Sequence, residues 1–260
     1  MVKSKVMTTS IPPCQRLLQV AMLAVLALAS GLAAASGGAR GEHAGADIRD
    51  VASLQRGARN FVSYCMGCHS AQYVRYNRLG QDLQIPEDQL VRDLMFAAQK
   101  PQETMTIAMR PDDAQRWFGV APPDLSLIAR NRGADYLYSF LRGFYLDPAR
   151  PTGVNNLMLA NAAMPHVLWE LQGTQEAVFE EKGTGEAVQK VFKEFRQVTP
   201  GKLSPGEFDG FVRDTVNFLV YVSEPMQLER QRLGVWVLAF LFVFGILAYL
   251  LKREIWKDVK

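Results

Sequence analysis

Cysteine is scarce in this chain, which contains three among its 260 residues. Cys14 lies near the amino terminus, and the other two stand together as Cys65 and Cys68 in the stretch YCMGCHS. A framework of several disulfides is therefore excluded. Histidine is equally scarce, with three residues, and a zinc site finds no second ligand pair at zinc spacing. What remains is one CxxCH motif in a chain that otherwise avoids cysteine.

Acidic residues are absent from positions 1–35. In this segment Lys3, Lys5 and Arg16 precede an apolar run that ends in small residues. This order of positive start, apolar middle and small-residue end predicts a secretory signal peptide over residues 1–35, cleaved after Ala35. An uncleaved anchor is the alternative, because the apolar run is long for a signal. Cleavage would remove Cys14 from the mature protein.

Charge is also absent from LGVWVLAFLFVFGILAYLL, the 19 residues from 233 to 251. A membrane-spanning helix needs about 20 apolar residues, so we expect a transmembrane anchor over 225–252. Because the signal peptide exports what precedes this anchor, residues 253–260 become a cytoplasmic tail. A buried helix of a soluble domain is the competing interpretation.

A basic surface is missing from the portion between these two apolar runs. The chain carries a formal net charge of +3. Residues 1–35 and residues 229–260 each carry +3, so residues 36–228 carry −3. Nucleic-acid binding, which needs a basic face, is excluded. A mildly acidic face would suit a basic protein partner.

Period-two alternation is rare between residues 51 and 224, whereas helical spacing is common, so the predicted fold class is mainly α. Residues 36–50, rich in glycine, alanine and charge, are expected to be flexible. Four helices are predicted: one over 53–65 that ends at the CxxCH, one over 86–99, one from 134 that stops at Gly143, and one with Ser204 as N-cap, Pro205 at the first position and Glu207 as capping-box partner.

The CxxCH motif could form a disulfide, bind zinc, exchange thiols or attach haem. A thiol-exchange site normally opens a helix in a βαβ setting, but this motif closes a helix. A disulfide across two residues would close a tiny loop and add little stability. Covalent c-type haem uses every residue: Cys65 and Cys68 form thioethers, and His69 is the proximal iron ligand.

The sixth iron ligand decides whether such a haem conducts electrons or reacts. Residues 143–165 form a long aperiodic segment rich in apolar side chains, of the kind that wraps a cofactor. Within it, Met158 and Met164 are candidate ligands, and Pro165 restricts the backbone of Met164 to an extended form. His166 is the rival of Met164.

Several stretches together resemble the cytochrome c1 family, the haem subunits of ubiquinol–cytochrome c oxidoreductase (bc1) complexes. The similarity extends from about residue 50 to the C-terminus and is most specific where APPDLS, AMP and a C-terminal anchor occur in that order. The stretches that carry it are RGARNFVSYCMGCHSAQYVRYNRL, MRPDDAQRWFGVAPPDLSLIARNRG, DYLYSFLRGFYLDP, AAMP and VNFLVYVSEPMQLERQRLGVWVL.

The resemblance implies a set of haem-pocket residues. Met164 becomes the sixth ligand, and Pro122 and Pro123 line the pocket. Arg132 is the best match to an arginine that binds a haem propionate, with Arg130 close enough to compete. Tyr136 is similar to a tyrosine near the haem.

The resemblance also implies a function: a c-type cytochrome haem domain with long haem-wrapping loops, residues 51–224, held on the periplasmic side of the bacterial inner membrane by one C-terminal transmembrane helix. It would take one electron from a Rieske iron–sulfur subunit and pass it to a cytochrome c, within a dimeric complex that includes cytochrome b. It would be a carrier and not itself an enzyme. A membrane-anchored haem peroxidase and a haem-based sensor are the alternatives.

Two departures from the family pattern matter. Some members carry a second cysteine pair that staples a loop, but no cysteine follows Cys68 here, so packing is expected to hold the loop near Met164. Residues 166–187 contain five glutamates against one lysine. They form either an ordinary solvated face or a docking patch for a basic cytochrome c.

Overall fold

The computed structural model describes residues 41–182 and 189–258. Within these ranges, side chains are described everywhere except at residues 181, 182, 189 and 190. The predicted signal peptide, Cys14, residues 36–40 and the last two residues of the predicted tail lie outside the described residues. In chain order the helices are α1 (Val51–Tyr64), α2 (Tyr76–Asp82), α3 (Glu87–Asp93), α4 (Pro111–Phe118), α5 (Ile128–Arg132), α6 (Ala134–Arg142), α7 (Trp169–Gln172), α8 (Pro205–Ser223) and α9 (Gln227–Ile255). The strands are β1 (Ala71–Arg75), β2 (Thr104–Met105), β3 (Phe144–Leu146), β4 (Val154–Asn156), β5 (Gly173–Lys182) and β6 (Gln189–Pro200).

Helices α1 and α8 form the centre of the domain. Phe61 of α1 and Phe218 of α8 are fully buried, and their ring centroids lie 5.5 Å apart. Gly57 lets the two helices approach closely, because a Cβ at this position would lie 2.1 Å from the carbonyl oxygen of Asp214. Most of the other buried apolar residues pack around this helix pair.

Both central helices begin where the chain supplies a cap. The side chain of Asp50 accepts a hydrogen bond from the backbone N–H of Ser53 at 2.9 Å at the start of α1. The predicted capping box of α8 is confirmed, with reciprocal hydrogen bonds between Ser204 and Glu207 and with proline in the first turn. These bonds satisfy N–H groups that have no partner within their own helix.

Residues 41–50 have no helix or strand, yet they contact the domain. Ala44 is 0% exposed, and its N–H donates to the Asp135 carboxylate at 2.8 Å. Its carbonyl accepts a hydrogen bond from Arg213 at 2.9 Å. This part of the segment that we expected to be flexible is therefore tied to α6 and α8.

The predicted helix over 86–99 is shorter in the structure, where α3 ends at Asp93. Leu94 and Met95 are still buried in the core, but they lie in the irregular chain that follows the helix. The fold is mainly helical, as predicted, but it also contains a long antiparallel hairpin of β5 and β6 that the sequence pattern did not indicate. The hairpin was missed because β6 is exposed along almost its whole length. A strand without a buried face has no apolar–polar alternation to read.

Helix α9 is long and apolar enough to cross a membrane, and none of its residues is buried against the described domain. It agrees with the predicted anchor at 225–252, with bounds two or three residues further on. At the turn between α8 and α9, the Glu224 carboxylate accepts a hydrogen bond from Arg230 at 3.2 Å and lies 3.8 Å from the Arg130 guanidinium. These contacts attach the anchor to the domain.

Candidate haem-binding site

The CxxCH motif forms one tight turn at the C-terminus of α1. The Cys65 N–H still donates to the Phe61 carbonyl at 2.8 Å, as in a helix. The N–H groups of Cys68 and His69 then both donate to the Cys65 carbonyl, at 3.1 and 2.9 Å. Two cysteine side chains and one imidazole therefore project from a single turn of chain, as covalent haem attachment requires.

The two thiols are free, and the Cys65 thiol is unsuited to thiol exchange. Desolvation raises the pKa of the Cys65 thiol to about 12, and the neighbouring Cys68 adds to the shift. A thiol-exchange enzyme needs a cysteine with a lowered pKa, because the thiolate is the nucleophile. The expectation that this motif is not a redox CxxC agrees with this environment.

His69 is oriented by one hydrogen bond. Its Nδ1–H donates to the backbone carbonyl of Pro123 at 2.7 Å. This bond fixes the tautomer and leaves Nε2 as the nitrogen with a free lone pair. Burial lowers the pKa of His69, so the neutral imidazole, which is the form that binds metal, is favoured.

The PPDLS segment lies against the CxxCH turn. The Leu125 N–H donates to the Ser70 carbonyl at 2.8 Å, and the Tyr73 N–H donates to the Ser126 hydroxyl at 3.1 Å. Pro122 is half-buried and Pro123 is exposed, and Pro123 contacts His69 through its carbonyl and not through its ring. Sequence reasoning singled out the two prolines and missed the polar residues that follow them.

Arg132 and Tyr136 also lie together. The Arg132 guanidinium lies 5.5 Å from the centre of the Tyr136 ring, which is buried and stacks on Phe140. Arg130, the competing arginine, instead faces Glu224 beside the membrane helix. Of the two, Arg132 is the one placed next to a predicted pocket residue.

A row of rings joins this region to the segment of Met164. Phe140 meets Phe144 edge to face at 5.3 Å, and Phe144 stacks on His166 at 5.1 Å. The row therefore begins at Tyr136 on α6 and ends two residues from Met164.

We expected packing to hold the segment from 143 to 165. Hydrogen bonds hold it as well. Strands β3 and β4 pair within it, and two buried asparagines fix its course. The side-chain Oδ1 of Asn155 accepts the N–H of Asn161 at 2.8 Å, where the chain takes a left-handed φ of 63°. Asn156, 2% exposed, donates to the Phe140 carbonyl and accepts the Met158 N–H, both at 2.8 Å.

The two methionine candidates differ in their surroundings. Met158 packs against the hydrophobic core, which is the ordinary role of a methionine. Met164 is half-buried and lies outside that core. This difference favours Met164 as the residue with a sulfur available to a cofactor.

His166, the rival ligand, is 8% exposed and lies face to face with Phe144. Among the described residues, neither of its ring nitrogens has a hydrogen-bond partner. Burial lowers its pKa to about 4, so the ring is neutral at physiological pH. It lines a cavity of about 240 Å³ together with residues of β3 and β5, including Tyr145 and Gln175.

The glutamates of 166–187 do not form an unpaired acidic patch where their side chains are described. Three ion pairs join this segment to β6 and the residues after it: Glu170 with Lys202 at 2.6 Å, Glu176 with Arg196 at 2.5 Å and Glu180 with Lys193 at 2.5 Å. The side chains of Glu181 and Glu186 lie outside the described residues.

Comparison with known proteins identifies the family. A profile described as the Cytochrome C1 family matches residues 46–259. The chain belongs to the cytochrome c1 family. It is 53% identical to cytochrome c1 of Allochromatium vinosum over 233 residues, which cover 88% of this chain and 94% of that protein.

Two further relatives have different names. The ammonia monooxygenase gamma subunit of Nitrosomonas europaea is 46% identical over 94% of this chain and 99% of that protein. The cytochrome b/c1 of Bradyrhizobium diazoefficiens is 27% identical over 80% of this chain, and the match covers 34% of that longer protein.

Membership of the cytochrome c1 family accounts for the mainly helical fold and the apolar C-terminal helix. It implies haem c and a role in electron transport as a subunit of a bc1 complex. The turn of Cys65–His69 fits that group, because two free thiols stand beside an imidazole whose Nε2 is left for iron.

Proposed function

We propose that this cytochrome c1 takes one electron from a Rieske iron–sulfur protein and passes it to a cytochrome c. Its haem c would be attached through Cys65 and Cys68, with His69 and Met164 as axial ligands. When bound, the haem supplies a one-electron Fe(III)/Fe(II) couple. The chain would then be a carrier, and the complex as a whole would be the enzyme.

The observation that carries this proposal is the 2.7 Å hydrogen bond from His69 Nδ1 to the Pro123 carbonyl. A histidine that ligates a metal nearly always donates its other ring N–H in this way, which orients the ring and raises its basicity. The bond occurs in the residue that directly follows two neighbouring thiols. An ordinary surface histidine would have no need of it.

Met164 is proposed to be the second residue that would hold the haem iron, and this closure would suit electron transfer. Histidine–methionine ligation raises the reduction potential, and an apolar surrounding adds to the effect. Two strong ligands also keep small molecules from the iron, so the site conducts electrons and does not react. The loop that presents Met164 is fixed through Asn155 and Asn156, which limits its movement between oxidation states.

Arg132 is proposed to bind a haem propionate, with Tyr136 beside it. A guanidinium matches the planar geometry of a carboxylate and is charged at every physiological pH. Its position over the Tyr136 ring restricts the directions in which it can point. Arg130 is less suitable because Glu224 already lies close to it.

The proposed location is the bacterial inner membrane, with the haem domain on the periplasmic side and α9 as a single-pass anchor. The chain would contact cytochrome b and the Rieske subunit within a dimeric bc1 complex. One relative is named cytochrome b/c1, and this chain matches about a third of it. That relative supports the pairing with cytochrome b. Covalent haem attachment also occurs on the exported side, in agreement with the predicted signal over 1–35.

The test is a visible and near-infrared spectrum of the purified full-length protein, oxidised and reduced, with and without carbon monoxide. We expect a c-type spectrum, a methionine–iron charge-transfer band when oxidised, and no change with carbon monoxide. Carbon monoxide binding by the native ferrous protein would reveal an open or displaceable sixth position. That result would favour the peroxidase alternative, with His166 as the residue beside the iron.

A further inference from the structure

We propose that Asp124 is a positioning residue for His69. Its carboxylate accepts two hydrogen bonds, here called the clip, that hold the chain whose Pro123 carbonyl bonds to the imidazole. The inference rests on the proposed function in one respect, the assignment of His69 as the proximal ligand. It adds a residue whose positioning effect on the iron acts through His69. Neither the CxxCH motif nor the two prolines point to it.

The carboxylate joins two segments that are about fifty residues apart in the sequence. One oxygen, Oδ2, accepts the backbone N–H of Gln72 at 2.9 Å. The other, Oδ1, accepts the backbone N–H of Ser126 at 2.8 Å. Each oxygen therefore fixes one side: Oδ2 holds the strand that leaves the CxxCH turn, and Oδ1 holds the turn of its own loop.

Asp124 is the residue best placed to control the Pro123 carbonyl. That carbonyl belongs to the peptide bond between Pro123 and Asp124. The proline ring fixes φ of Pro123, and the following proline restricts Pro122 to extended conformations. The rotation that remains free is ψ of Pro123, which sets the direction of the carbonyl. The Asp124 side chain is bonded to Gln72 on β1 and to Ser126 in its own loop, so it holds the residue that follows this carbonyl and restrains that rotation.

The neighbouring bonds make the clip stiff. The Leu125 N–H donates to the Ser70 carbonyl at 2.8 Å, and the Tyr73 N–H donates to the Ser126 hydroxyl at 3.1 Å. The Ser70 hydroxyl in turn accepts the N–H of Ile107 at 3.2 Å. The PPDLS motif thus has a physical explanation: prolines set the backbone, the aspartate clips it, and the serine completes the attachment.

Loss of the clip should change the iron through its ligand. A strong bond from Nδ1–H to a carbonyl makes the imidazole a better electron donor, which favours Fe(III). A loosened carbonyl should therefore raise the reduction potential, and it should alter the orientation of the imidazole ring. Loss of the Asp124 charge would also raise the potential, so charge and position must be separated.

Two variants separate them. Asp124→Asn removes the charge and places an amide N–H₂ against one of the two N–H donors, so one bond is lost. Asp124→Glu keeps the charge but moves both oxygens by one methylene. A role in positioning predicts that both variants raise the potential, shift the largest g value of the ferric EPR spectrum, and speed solvent exchange of the His69 Nδ1 proton about tenfold. Asp112→Asn, at an exposed carboxylate on α4, is the matched control for charge.

The wild-type spectrum is recorded first. A wild-type protein without a histidine–methionine haem would disprove the proposed function, whatever the variants do. If the wild-type haem is present and Asp124→Glu leaves potential, g value and proton exchange unchanged, the positioning role is disproved. If both Asp124 variants fail to fold, Ser126→Ala decides: the same changes at smaller size support the clip, and an unchanged proton exchange rate rejects it.

Discussion

The two proposed axial ligands are held by different means. His69 follows its thiols within one turn and is tied to residues 123–126 through bonds in which nearly every donor is a backbone N–H or the ligand itself. Met164 stands at the end of an irregular segment whose course depends on the side chains of two buried asparagines. The first arrangement is compact and local, and the second depends on amides that reach across a loop.

This difference determines how each side should fail. On the His69 side, the Pro123 and Ser70 carbonyls are backbone acceptors that most substitutions leave in place. The Asp124 carboxylate and the Ser126 hydroxyl are the side-chain acceptors that a substitution there can remove. A loop held by two buried amides loses its shape when either amide is removed, since the groups they satisfy remain buried. We therefore expect substitutions on the Met164 side to affect ligation more strongly than comparable substitutions around His69.

The largest effect is expected for Met164→Leu. The covalent haem should remain, because Cys65, Cys68 and His69 are unchanged. The charge-transfer band in the near-infrared should disappear and the reduction potential should fall, since the sulfur ligand is lost. Met158→Leu is the matched control, because Met158 packs against the core, and it should keep both properties. A band that persists in Met164→Leu would show that another residue is the ligand.

Removal of Asn156 should have the next largest effect. Asn156→Ala leaves the Met158 N–H without its partner and takes from the Phe140 carbonyl one of two hydrogen bonds, the other coming from the Gly143 N–H at 3.2 Å. The expected cost is roughly 1–3 kcal/mol in the free energy of unfolding. Chemical denaturation followed by haem absorbance measures this cost. The ferrous variant should also bind carbon monoxide more readily, because Met164 is held less firmly. Asn131→Ala, at an exposed position on α5, should change neither quantity.

An Asn156→Ala variant as stable as the wild type would contradict the view that buried amides hold the loop. Carbon monoxide binding by Asn131→Ala at the same level would show that loosening is general and not specific to this segment.

The same comparison explains what the sequence could predict. Cys65, Cys68 and His69 lie within five residues of one another, so their spacing alone predicts covalent haem attachment. The capping box at Ser204 and Glu207 and the uncharged run of α9 are equally local, and both are confirmed. Asn155, Asn156 and Asp124 carry no such pattern. Their nearby partners are ordinary turn contacts, and the distant partners of Asn156 and Asp124, Phe140 and Gln72, cannot be read from spacing. Only the folded contacts reveal that these three residues are more than turn formers.

A smaller effect is expected at His166. Its ring is buried against Phe144, and in the described part of the chain its nitrogens have no partners, so burial of this polar ring costs free energy. His166→Phe should leave the free energy of unfolding unchanged or raise it by about 1 kcal/mol. It should also leave the methionine–iron band intact. Loss of the band in His166→Phe, with normal haem content, would mean that the rival ligand is the true one.

The smallest effect is expected on the hairpin formed by β5 and β6. Glu170, Glu176 and Glu180 each face a cation, so the segment presents less free negative charge than its sequence indicates. Exposed ion pairs of this kind contribute little to stability, because water and salt screen them. Replacement of all three glutamates by glutamine should therefore change stability little.

The same triple variant tests whether this hairpin docks a basic cytochrome c. Electron transfer to such a partner should slow as salt rises, because exposed charges are screened. If the hairpin is an ordinary solvated surface, the triple variant should keep the wild-type dependence of rate on ionic strength. A clearly weaker dependence would show that these glutamates steer the partner despite their ion pairs. The attraction would then come from the summed electrostatic field of the segment. A paired carboxylate still contributes to that field when its cation lies on the side away from the partner.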